Sequence, residues 1–183
     1  MNLEKRKKQN NQGSRCFAQE TLIRMADGQE KQISAICIGE KVLSVSGKVL
    51  RVTNIIFGME EKVVVLATQS GKRIRLTSDH PVQTEQRGIL PVNALLATDK
   101  VYTADGGFEE IDSLYTEMYN DRVYNLCLEK ESFLFGNGIA VGDFYYQQNI
   151  PRSVPTPPVS EEAQHELDIL KEEFRKLQER GNI

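Results

Sequence analysis

The segment ISAICIGEKVLSVSG (33–47) recurs without a gap as VNALLATDKVYTADG (92–106), at an offset of 59 residues. Ala35, Lys41, Val42 and Gly47 are matched by Ala94, Lys100, Val101 and Gly106, and Ile33/Val92, Ile36/Leu95, Glu40/Asp99 and Ser44/Thr103 are conservative pairs. The same offset places Met59 on Met118, Val64 on Val123, and LTSDHPV (76–82) on FGNGIAV (135–141). A chain that repeats itself in this way has to build one unit twice. The two halves are therefore expected to be related by a pseudo-two-fold axis, with the Thr77–His80 turn and the Asn137 turn in equivalent places. Sites commonly form at such junctions.

Each copy consists of short β-branched and apolar runs, among them Val49–Ile56, Lys62–Thr68 and Arg73–Thr77. Turn signals separate them: ADG at 26–28, SG at 46–47 and 70–71, ADGG at 104–107 and GNG at 136–138. Short strands at this density predict an all-β domain over residues 16–146. Residues 1–15 are polar and basic, with too little apolar surface to fold, and are expected to be disordered. Residues 147–160, with Pro151, Pro155, Pro157 and Pro158, read as a semi-rigid linker. Residues 161–181 predict an amphipathic helix capped by Ser160, with acidic residues in its first turn and basic ones toward its end. Its stripe of Leu167, Leu170, Phe174 and Leu177 would dock on the domain or on a partner helix.

The hydrophobic share of 39%, the charged share of 27% and the net charge of -3 describe a soluble globular chain with no global attraction to nucleic acid. No apolar run approaches the roughly 20 residues of a membrane helix, and the basic N-terminal residues are not followed by a signal-type apolar stretch. Cys16, Cys37 and Cys127 form no CxxC pair, which argues against a disulfide framework or a metal site; no cofactor is expected. The cytoplasm is the default location, and membership of a larger secreted precursor the alternative. Cys37 lies in an apolar run and reads as core, while Cys127 reads as core or strand face.

Only two histidines occur, His80 and His165, and the first follows a threonine by three residues in GKRIRLTSDHPV (71–82). Together with CFAQETLIRMADG (16–28) and DRVYNLCLEKESFLFGNGIAVGD (121–143), this stretch resembles the Hint superfamily of inteins, hedgehog autoprocessing domains and bacterial intein-like domains. The resemblance covers residues 16–146 and implies a pseudo-symmetric, horseshoe-like β fold. It implies that Cys16 is a nucleophile toward the carbonyl of Arg15, its own preceding residue. His80 would protonate the departing nitrogen and Thr77 would hold the peptide. Asp79, Asn125, Asn137 and Asp143 are possible supporting residues. The substrate would be the chain's own N-terminal flank.

The sequence departs from the splicing pattern at its end. A splicing intein closes on His-Asn followed by Cys, Ser or Thr, whereas here Gly142 and Asp143 precede Phe144. Glycine has no proton to give, aspartate attacks its own carbonyl poorly, and phenylalanine accepts no acyl group. Asn125 stands where the family usually has an aspartate. The expected chemistry is an N–S acyl shift at Arg15–Cys16 giving a thioester resolved by water or another nucleophile, without full splicing. The alternative is a catalytically inert Hint-fold interaction module.

Overall fold

The computed structural model describes residues 15–149. Apart from Arg15, the basic flank, most of the proline-rich segment and the helix expected at 161–181 lie outside the described residues.

The strands are β1 (Phe17–Ala18), β2 (Leu22–Arg24), β3 (Glu30–Gln32), β4 (Lys41–Leu43), β5 (Val49–Thr68), β6 (Arg73–Leu76), β7 (Pro81–Gln83), β8 (Ile89–Pro91), β9 (Lys100–Tyr102), β10 (Phe108–Leu128), β11 (Phe133–Gly136) and β12 (Ile139–Gly142). Single 3₁₀ turns lie at Ile33–Ala35 and Val92–Ala94, and one short helix, α1 (Phe144–Asn149), follows β12. The offset of 59 carries β3 onto β8, one 3₁₀ turn onto the other, β4 onto β9 and β5 onto β10. The internal repeat is thus a repeat of elements.

Two sheets result, in the orders β4-β5-β6-β1-β10-β9 and β3-β2-β11-β12-β7-β8. In both, the outer strands are symmetry mates: β4 and β9 at the edges of one, β3 and β8 at the edges of the other. β5 and β10 also pair directly, from Thr68 opposite Ile111 to Val52 opposite Leu128. The pairings β5–β6, β6–β1, β1–β10 and β10–β5 therefore close on themselves. Closure removes free edges from this part of the sheet. It also sets β1 between β6 and β10.

Burial follows the pairing. Val63–Leu66 and Val123–Leu128 are buried at every position, so both faces of β5 and β10 are covered there. The runs Val49–Ile56 and Lys62–Thr68 are not separate strands but parts of β5, because Phe57–Glu61 is held extended by its ladder with β10 despite its glycine and acidic residues. Cys37 corrects another expectation: it is exposed. Ile36 enters the core, while Cys37 and Ile38 turn outward in the bend toward β4, so the apolar run is only one residue deep. Cys127 is buried on β10. Among the described residues no helix is long and apolar enough to cross a membrane.

Candidate active site

β1 is only two residues long, and its position follows from its neighbours. Phe17 pairs with Leu76 of β6 on one side and with Tyr124 of β10 on the other. Cys16, one residue earlier, thus lies between the end of β6 and Asn125. Its main chain is held by Thr77 at both polar atoms. The Cys16 N–H donates to Thr77 Oγ1 at 2.7 Å, and the Cys16 carbonyl accepts from the Thr77 N–H at 2.9 Å and from its hydroxyl at 3.3 Å.

The preceding carbonyl is held from the opposite side. Asn125 Nδ2 donates to Arg15 O at 2.6 Å, while Asn125 Oδ1 accepts from the Leu126 N–H at 2.7 Å. The peptide bond between Arg15 and Cys16 is therefore gripped at its oxygen by Asn125 of β10 and at its nitrogen by Thr77, which follows β6.

His80 closes a turn on Thr77, its N–H donating to Thr77 O at 3.0 Å, and its own carbonyl accepts from Val92 N–H at 2.8 Å. The ring is fully buried and meets Phe17 edge-on, with centroids 4.3 Å apart. Nε2 lies 3.1 Å from the Gly142 carbonyl. Burial drives its pKa down to about 3, helped by the charge of Arg15; main-chain hydrogen bonding to Gly142 and to Cys16 pulls the other way and loses. His80 is thus neutral near pH 7, with one proton to give and one lone pair to take another.

Cys16 is 2% exposed and clusters with Val63 and Val123, with Tyr119 packed against them. Burial, and then the charge of Glu60, pushes the Cys16 thiol up to about 12. Tyr119 sits where the β10 register shifts between Met118 and Asp121. Its hydroxyl accepts from the Gln19 N–H at 3.0 Å and donates to Glu20 at 2.9 Å, and Glu20 is paired with Arg75 at 2.9 Å. A polar network from two strands and a turn thus holds Tyr119 against the Cys16 cluster.

The supporting residues divide. Asn125 touches the Arg15 carbonyl. Asn137, in the left-handed region at φ 47°, accepts from the Leu22 N–H at 2.7 Å and donates to Arg73 O at 2.8 Å, stitching β2 to the start of β6. Asp79 is bonded at the surface by Ser78 and Asn93. Asp143 Oδ1 accepts from the Tyr146 N–H at 2.9 Å, capping α1, and from the Ser132 N–H at 3.2 Å. Burial raises its pKa to about 6, although hydrogen bonds from the Tyr146, Ser132 and Leu128 main chain favour the charged form. Two participants carried no sequence signal: the Gly142 carbonyl against His80, and Tyr119 against the Cys16 cluster. Among the described residues no group of three or more His, Cys, Asp or Glu is placed to hold a metal ion.

The sequence pattern of the Hom_end-associated Hint family matches residues 16–124. The chain belongs to this Hint family. Its fold is shared with solved structures at low identity. The gp41-1 intein is 20% identical at a TM-score of 0.61, covering 70% of this chain and 98% of that one. A DnaB intein from Synechocystis sp. PCC 6803 is 20% identical at 0.61, covering 71% and 99%. The bacterial intein-like domain from Clostridium thermocellum is 22% identical at 0.62, covering 71% and 99%. No curated protein sequence matches the chain. The Hint fold explains why a residue at the start of the chain meets one from the middle and one from the end: three blocks far apart in sequence converge on β1.

Proposed function

We propose that this Hint domain cuts its own chain by an N–S acyl shift at Arg15–Cys16. The observation that carries the reading is the double grip on that peptide bond, with Thr77 on its nitrogen and Asn125 on its oxygen, beside the buried ring of His80. Cys16 Sγ bonds to the Arg15 carbonyl carbon, and the bond from that carbon to the Cys16 nitrogen breaks. The thiol gives up a proton and the departing nitrogen gains one. The thiol's proton goes to solvent, and neutral His80 serves the departing nitrogen, donating from one ring nitrogen as the other takes up a proton. Thr77 keeps the nitrogen in place while its geometry changes. Water, a small thiol or an amine then resolves the thioester and releases the N-terminal flank.

The C-terminal junction is poorly suited to a second cut. Asp143 is engaged as the cap of α1, and Phe144 offers no nucleophile. A side chain at position 142 would meet Pro81, since an added Cβ lies 2.8 Å from Pro81 Cγ. Cleavage without splicing is the outcome this supports. The competing reading, an inert interaction module, draws on the thiol, whose pKa of about 12 leaves it almost wholly protonated near neutrality.

Mass spectrometry of the full chain, with and without hydroxylamine or dithiothreitol, separates the two. Self-processing predicts nucleophile-induced loss of the segment before Cys16, abolished by Cys16→Ala. His80→Ala is expected to slow it by about 10²–10⁴-fold, the usual worth of a positioned acid or base. An unchanged mass after prolonged treatment leaves the inert module.

A further inference from the structure

We propose that Asn125 is the oxyanion donor of the acyl shift; this rests on the self-processing reading above. As Sγ bonds to the carbonyl carbon, the π pair of the Arg15 carbonyl moves onto its oxygen. That oxygen lies 2.6 Å from Asn125 Nδ2. The amide cannot be turned the other way without loss, because Oδ1 is taken by the Leu126 N–H at 2.7 Å. Asn125 is fully buried, so its amide is already desolvated and held in place, and the bond strengthens as charge develops on the oxygen. Thr77 does not fill this role: its hydroxyl is engaged with the nitrogen and carbonyl of Cys16 itself. The Nε2 of His80 is turned to Gly142.

Asn125 exchanges no proton. Its N–H stays whole while the oxygen gains charge, and when the pair returns to re-form the carbonyl, the bond to the Cys16 nitrogen breaks. An ionised aspartate at this position would instead set a negative charge against the developing oxyanion. In this assignment the amide at position 125 serves the same oxygen that an ionised aspartate would repel.

The test uses the full chain and the hydroxylamine-induced cleavage rate at pH 5 to 9, with thermal unfolding as a control on each variant. Asn125→Ala is expected to slow cleavage by about 10²–10³-fold, the effect of removing one oxyanion donor. Asn125→Asp, nearly the same shape, is expected to be slower than the unaltered chain at pH 8. Its rate relative to the unaltered chain should recover as pH falls and the carboxyl takes up the proton it needs to donate. If Asn125→Ala does not fold, this pH-dependent ratio carries the test alone. Either variant cleaving at the unaltered rate, or Asn125→Asp cleaving faster at pH 8, overturns the assignment and leaves self-processing standing. No cleavage of the unaltered chain, beyond that of Cys16→Ala, overturns both.

Discussion

Cys16 and His80 are each held by burial in the uncharged form. The thiol, at about 12, is some five pH units from half ionisation at neutrality, leaving roughly one thiolate in 10⁵. Burial behind Val63, Val123 and Tyr119 is the main cause. The thiolate is the nucleophile, and its fraction rises tenfold per pH unit while pH stays below the pKa. The cleavage rate of the full chain is therefore expected to rise about tenfold per unit between pH 7 and 9. No separate break is expected near 6.5, because His80, at about 3, does not titrate there. A plateau above pH 8, followed by mass spectrometry, would show a thiol far more acidic than its surroundings allow. Leu126 shows how little room such a site has: one main-chain N–H sets the direction of the Asn125 amide.

At the scale of elements, the decisive piece is the shortest one. β1 has two residues, yet it fills the slot between β6 and β10 and fixes where Arg15–Cys16 lies. β12 is the counterpart at the other end, bringing the Gly142 carbonyl to His80. Its close approach to β7 makes Gly142 a packing requirement. Pro81 is a rigid ring, so a Cβ at 2.8 Å from its Cγ forces the strand or the turn to move. Gly142→Ala is expected to cost about 1–3 kcal/mol, as overpacking of a well-filled core does, measured by urea denaturation. Wild-type stability in Gly142→Ala would mean that β12 has slack that this contact does not suggest.

For the whole molecule, burying ionisable groups couples folding to pH. Asp143 has a folded pKa of about 6 against a reference of 3.8. The folded chain therefore holds the extra proton between those values, and the stability linked to it is complete below about 3.8 and lost as pH rises through about 6. His80 works in the opposite sense: between about 3 and 6.5 the unfolded chain takes the extra proton, so stability falls with acid. The two offset each other over the shared window. Asp143→Asn, which keeps the capping oxygen, is expected to be more stable than the unaltered chain above pH 6, with the gain gone by pH 4 in thermal unfolding. A gain that persists at pH 4 would place its cause in the cap and not in the proton. The two-fold design centres on β5 and β10, which pair along nearly their whole length, and β4, β6, β1 and β9 each pair with one of them.

Much of this was legible in the chain. The repeat at offset 59 determined a doubled β unit, because identical spacing of turns and apolar runs leaves the backbone one economical way to fold both halves. Cys16, Thr77 and His80 were legible as a set because the blocks that carry them resemble, in order, those of the Hint superfamily. Other features were decided only in three dimensions. Cys37 and Ile36 are adjacent and both apolar, yet one is exposed and one buried, since a bend, not composition, sets which side faces the core. Asn125 touches Arg15 across 110 residues of chain, and Gly142 meets His80 across 62. Sequence order determined the unit that is repeated; strand closure around β1 decided which atoms meet, because hydrogen bonds form between neighbours in space whatever their separation along the chain.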